Sequence, residues 1–154
     1  MVTPSEQVEF RYDDWSAVLA RIDGLSASRQ GWVNLLPEVT PDEDVSPRSR
    51  LGSLFSSAGP LVPMATWVAA TGTRPASAGI QHGVGAKVVA RLRDHGVAPP
   101  SGSAVVQDHG RRGLVLRLAD DTDADVVVAW LMDAVDDLCP VQLTGRWLAE
   151  IHRG

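Results

Sequence analysis

A chain of 154 residues with 44% apolar side chains and a formal net charge of −5 has the size and composition of one globular domain. That charge excludes the basic stripe by which nucleic-acid and anionic-membrane binders are recognised. A single cysteine excludes an internal disulfide, so nothing demands an oxidising compartment.

The opening MVTPSEQVEF has neither the basic nor the apolar segment of a secretory signal. No apolar run approaches the roughly 18 residues that cross a bilayer, so a soluble cytoplasmic protein is expected. One lysine among 14 basic side chains, with abundant Ala, Val, Gly and Asp, points to a high-GC bacterial coding bias.

In chain order, DDWSAVLARIDGL (13–25) places Trp15, Val18, Leu19, Ile22 and Leu25 on one helical stripe, with Asp13 or Asp14 as N-cap. GWVNLLPEV (31–39) reads as a short strand halted by Pro37. The stretch 40–60 is rich in Pro, Ser, Gly and charge and is expected to be a mobile loop. LVPMATWVAA (61–70) reads as a strand and TGTRP as the turn behind it.

From Pro75 the pattern becomes regular. A strand at 75–82 precedes a helix at 84–96 that buries Val84, Val88 and Leu92 and stops at Gly96. Strands at 103–109 and 113–119 are joined by Gly110-Arg111-Arg112. A helix at 123–139 has Val127, Leu131, Ala134 and Leu138 on one face, and Pro140 ends it. Residues 144–153 form the last strand.

This order, β-α-β-β-α-β, predicts an α+β protein with a ferredoxin-like core over 75–153: an antiparallel sheet with two helices on one face. Residues 1–74 precede it as an extension with a helix and one or two strands, in a single domain spanning 1–154. The scheme contains one conflict. A hairpin between 64–70 and 76–82 competes for a flank of the first core strand, which the ferredoxin-like sheet keeps central.

The split βαβ unit makes the strand ending at His82 parallel to the strand ending at His109, with a third strand between them. Their ends therefore share one rim. His82, Asp108, His109, Lys87, Arg111, Arg112 and Arg146 are expected to gather there, around the turn containing Gly83 and Gly85. Ile80 and Val106 carry His82 and Asp108 to the helix side, about 10 Å apart across two strand spacings. The other face would hold Gln81, Gln107, His109, Arg117, Arg146 and Glu150. It is expected to pack under the N-terminal elements or against a second subunit.

HGVGAK (82–87) is neither a Walker loop nor a complete GxGxxG. Its physical content is a set of free amides at a helix start, with Lys87 and nearby arginines adding positive charge for an anion. The plainer reading is a tight turn that needs glycine. His82 and Asp108 are the candidate catalytic pair, an imidazole acid-base oriented by a carboxylate. Their plainer role is bonding to loop backbone.

The candidate ligand-binding residues are Gly83, Gly85, Lys87, His109, Arg111, Arg112 and Arg146; the two arginines in the turn form either a carboxylate clamp or a solvated corner. A metal held by His82, Asp108 and His109 would need neighbouring strand residues to point the same way, so neither metal nor cofactor is expected. The chain has no GxSxG, and Cys139 precedes a proline at a helix end where no thiolate is favoured. Trp15, Trp67, Trp130 and Trp147 read as core or interface anchors, with Trp32 the one partly exposed.

GIQHGVG, VVQDHGRRGLV and PVQLTGRW, with SLFSSAGP upstream, resemble a small family of actinobacterial proteins over most of residues 31–152. The resemblance implies a bacterial cytoplasmic origin and brings no activity, cofactor or partner with it. The expected function is non-enzymatic binding of a small anion or a partner at the His82/Arg111 rim. An alternative is a small enzyme acting on a phosphorylated or carboxylated substrate through His82. A further alternative is a protein-interaction module using the 40–60 loop and the polar sheet face. A homodimer fits the fold by analogy. Nucleic acid is not expected, since the sheet lacks stacking aromatics.

Overall fold

The computed structural model describes residues 4–40 and 62–154. The expected mobile loop at 40–60 lies, apart from Thr40, outside the described residues. The elements are β1 (Glu6–Arg11), α1 (Ser16–Ser28), β2 (Trp32–Val39), β3 (Met64–Val68), β4 (Ser77–Gln81), α2 (Val88–Asp94), β5 (Ala104–His109), β6 (Gly113–Arg117), α3 (Ala124–Leu138) and β7 (Leu143–His152). All seven strands join one sheet in the order β1-β7-β2-β3-β4-β6-β5, and each neighbouring pair is antiparallel.

This order corrects the ferredoxin-like expectation while keeping the α+β class. The β4-α2-β5 unit with β6 between its strands is present, but β7 does not lie beside β4, because β2 and β3 stand between them. The reason is edge occupancy. β3 pairs with β4 from Met64↔Gln81 to Val68↔Ser77, and β6 takes the other edge from Ser77↔Arg117 to Ile80↔Leu114. The short β3–β4 loop costs less closure entropy than a long helical crossover, so the hairpin holds that edge. Its turn is closed by Thr71 N–H donating to Arg74 O at 2.9 Å, and the Thr71 hydroxyl accepts from the Thr73 and Arg74 amides.

β7 must then be reached from β6 by passing over β4, β3 and β2, about 19 Å across four strand spacings. The 15-residue helix α3 does this with a length of about 22 Å. A second split unit, β1-α1-β2, encloses β7 in the same way. The N-terminal segments are thus built into the sheet and its helical layer. Among the described residues they do not cover the polar face.

Alternation decides which face is covered. Val33 and Leu35, Ala65 and Trp67, Ala78 and Ile80, Leu114 and Leu116, and Trp147, Ala149 and Ile151 are buried. They meet Val18, Ile22 and Leu25 of α1 and Val88, Val89 and Leu92 of α2. α3 is buried on most of its circumference, as expected of a helix central to its layer. Its remaining carboxylates anchor its neighbours: Tyr12 Oη donates to Asp133 at 2.7 Å and Trp15 Nε1 to Asp125 at 2.6 Å. Asp137, at the end where its charge opposes the helix dipole, is offset by Arg91 at 3.7 Å and His95 at 2.8 Å.

Several boundaries move for local reasons. α2 begins only at Val88, so Val84 is left 37% exposed in the preceding turn rather than buried on a helix. β2 is not halted at Pro37; it runs on to Val39 with its register shifted between those residues. α1 passes through Gly24 to Ser28, and Arg29 ends it in the left-handed conformation with φ 57°. The strand β1 goes beyond the elements expected from the sequence.

Gly113 opens β6 with φ 82°, and a Cβ placed there would sit 2.4 Å from the carbonyl oxygen of Ile80. Both the conformation and the contact require glycine. Gly113→Ala is therefore expected to cost more than about 2 kcal/mol in urea unfolding at an unchanged m-value.

Candidate functional site

β4 and β5 run the same way, so His82 and His109 do stand at one rim of the sheet. The carboxylate of Asp108 turns beneath the start of α2: Oδ1 accepts from Val88 N–H at 3.0 Å and Oδ2 from Val89 N–H at 3.1 Å. The helix-start amides that the sequence offers to an outside anion are thus held by the chain's own carboxylate. Asp108 reaches the helix side through a bulge between Val105 and Gln107. The bulge ejects Val106, 65% exposed, so Val105 shares the helix face with Asp108.

His82 is 1% exposed, and its Nδ1 accepts from Val84 N–H at 3.2 Å. That bond assigns the proton of the neutral ring to Nε2, which is buried with no hydrogen-bond partner. Burial pushes the His82 pKa below its ordinary value, the nearby Asp108 charge opposes this, and Arg91 reinforces it. His82 and Asp108 therefore share a rim without bonding to each other, and each is engaged with backbone.

His109 has a comparable role. Its Nδ1 accepts from the amides of Arg111 at 3.0 Å and Arg112 at 3.2 Å. Gln107 Nε2 donates to Arg112 O and Gly113 O, closing the same β5–β6 turn. The side chains of Arg111 and Arg112 are exposed at that turn. Gly85, with φ 103°, and Lys87, with φ 62°, shape the turn before α2. Gly83 and Lys87 are exposed, and Lys87 forms no ion pair with a described residue. No group of three or more His, Cys, Asp or Glu arranged to hold a metal occurs among the described residues.

Arg146 is separated from this cluster. It lies on β7, three strand spacings from β4 and five from β5, or about 14 and 24 Å. Its surroundings are a different part of the same rim. Pro37 offers no amide to the ladder, and the β2–β7 pairing jumps from Pro37↔Trp147 to Val39↔Leu143. Thr144, Gly145 and Arg146 consequently stand away from β2. Gly145 takes φ 91°, and the Thr144 hydroxyl accepts from Arg146 N–H at 3.1 Å.

The opened ladder leaves a cavity of about 520 Å³ whose lining includes Glu9, Arg11, Leu36, Glu38, Arg146 and Leu148. Phe10 and Trp147, stacked with ring centres 6.1 Å apart, border it. Arg11 and Arg146 are direct cross-strand partners. Tyr12 N–H donates to Gly145 O at 2.9 Å, which makes the Arg11–Arg146 pair a non-hydrogen-bonded one, where side chains approach most closely. Among the described residues Arg11 pairs only with Asp13, in an exposed contact at 3.8 Å, and Arg146 has no ion pair.

Further along the open face, Thr66 donates to Asn34 at 2.8 Å and Asn34 to Glu150 at 3.4 Å, a polar row across β3, β2 and β7. Trp32 stacks on His152 at 4.6 Å with an interplanar angle of 7°. The sequence carried two signals for the Arg146 cavity, Pro37 inside a strand and Gly145 opening the last one. The pairing of Arg11 with Arg146 had none, because it requires β1 as β7's neighbour.

Fold and site together define an α+β protein built on one antiparallel sheet, helix-covered on one face and polar on the other. No protein-family model, curated protein or solved structure matches the chain. No helix of the described residues is long and apolar enough to cross a membrane.

Asp108→Ala strips two amides of their acceptor and is expected to cost about 2 kcal/mol in chemical unfolding, with Asp108→Asn recovering part of it. The depressed His82 pKa has a definite sign. The unfolded chain takes up a proton near its ordinary 6.5 while the folded ring stays neutral, so stability falls as pH drops below that value. His82→Gln is expected to make the stability profile between about pH 7 and pH 5 shallower, read from urea midpoints.

Proposed function

We propose that this protein is a non-enzymatic binder of a small organic anion, holding a carboxylate or phosphate between Arg11 and Arg146 at the sheet rim. The observation that carries this reading is the like-charged cross-strand pair in the lining of the 520 Å³ cavity. Two cations directly opposite each other destabilise a sheet unless something compensates them. A planar oxyanion accepts from both guanidinium forks and turns repulsion into two charge-assisted hydrogen-bond pairs. Leu36 and Leu148 give the rest of the ligand an apolar wall, and Glu9 and Glu38 suit an ammonium or hydroxyl at its far end.

Calorimetry and thermal shift with succinate, a free amino acid and inorganic phosphate test the reading. A ligand at ten times its Kd is expected to stabilise the wild-type chain by roughly 1.4 kcal/mol. Arg146→Ala is expected to leave the ligand-free protein as stable or a few tenths of a kcal/mol more stable, and to weaken binding about tenfold or more. Equal stabilisation of wild type and Arg146→Ala by the same ligand would remove this site.

A further inference from the structure

The opposite rim carries a second, differently built recess. An inner chamber of about 180 Å³ lies between α1, α3 and the sheet, walled by Ile22, Trp67, Leu118 and Val127. It adjoins an outer groove of about 680 Å³ at the β3–β4 turn, the two sharing Ser26, Ala70 and Asp120. Arg29 and Arg74 line the outer part.

We infer that this recess binds a small amphiphilic monoanion, an aromatic or branched-chain carboxylate. Its apolar body enters the inner chamber against Trp67, and its carboxylate stays outside at Arg29 and Arg74. Three observations converge on that chemistry. The inner chamber is mostly apolar, broken by Ser26, Asp120 and Thr122, and its volume is close to that of the roughly 150 Å³ cavity that accepts benzene, so it takes one ring or a short branched chain.

Neither Arg29 nor Arg74 forms an ion pair with a described residue. Arg29 also stands in the left-handed conformation at the end of α1, where glycine is the usual residue, so the groove keeps a guanidinium where the backbone favours its loss.

The test is a titration of the isotope-labelled full chain with benzoate, followed by amide and indole NMR shifts. Saturable shifts at Trp67, Thr122 and Arg74 are expected, with acetate binding about tenfold more weakly because it lacks the apolar body. Arg74→Ala, at an exposed turn, is expected to weaken benzoate about tenfold. Ala76→Leu, which fills the chamber, is expected to abolish the shifts; the Arg74 variant decides the matter if that protein does not fold. Absence of saturable shifts at these residues, equal affinity for acetate, or unchanged affinity in Arg74→Ala would overturn the assignment. Shifts confined to Arg11 and Arg146 would report the other rim and overturn it equally.

Discussion

A β-strand has two edges, and both edges of β4 are occupied. The hairpin from β3 takes one and β6 the other. From this constraint the rest of the architecture follows. β7 must find its place beyond β2, α3 must be long enough to carry the chain there, and β1 then closes the sheet on β7's free side. The cavity beside Arg146 exists because β7's partner at that point is β2, whose Pro37 cannot sustain the ladder.

α3 shows how one helix serves both roles of a crossover. Its apolar circumference supplies the centre of the core, and its few polar positions tie down the segments that flank it. Tyr12 and Trp15 fix the entrance to α1, while Arg91 and His95 fix α2. Three of the four carboxylates on this otherwise apolar helix, Asp125, Asp133 and Asp137, are thus points of attachment for the β1–α1 connection and α2. At the sheet's N-terminal corner Glu6 does the same work, and hydrogen bonds from Arg21 and then Arg153 hold its carboxyl pKa down at about 2.

Most elements after Pro75 could be read from periodicity alone, and the shared rim of His82 and His109 followed from them. What alternation could not convey was pairing between distant strands. Val8 and Phe10 alternate as a strand should, yet β1 is short and polar on its other side, so its pattern is weak. The role of Asp108 was hidden for another reason. Its partners are amides of Val88 and Val89, available only because α2 starts four residues later than the glycine-rich turn suggests. The histidines were legible as rim residues but not as acceptors for loop amides, since that depends on the local turn.

The bulge that ejects Val106 has a further consequence for how copies of this chain behave together. β5 is the terminal strand on its side, and a flat terminal strand would offer its unused amides and carbonyls to any neighbour. The kink breaks that template by twisting the border, so growth into a continuous intermolecular ribbon would first require ironing it flat. The same irregularity that sends Asp108 inward to hold a helix also removes the flat template from this margin.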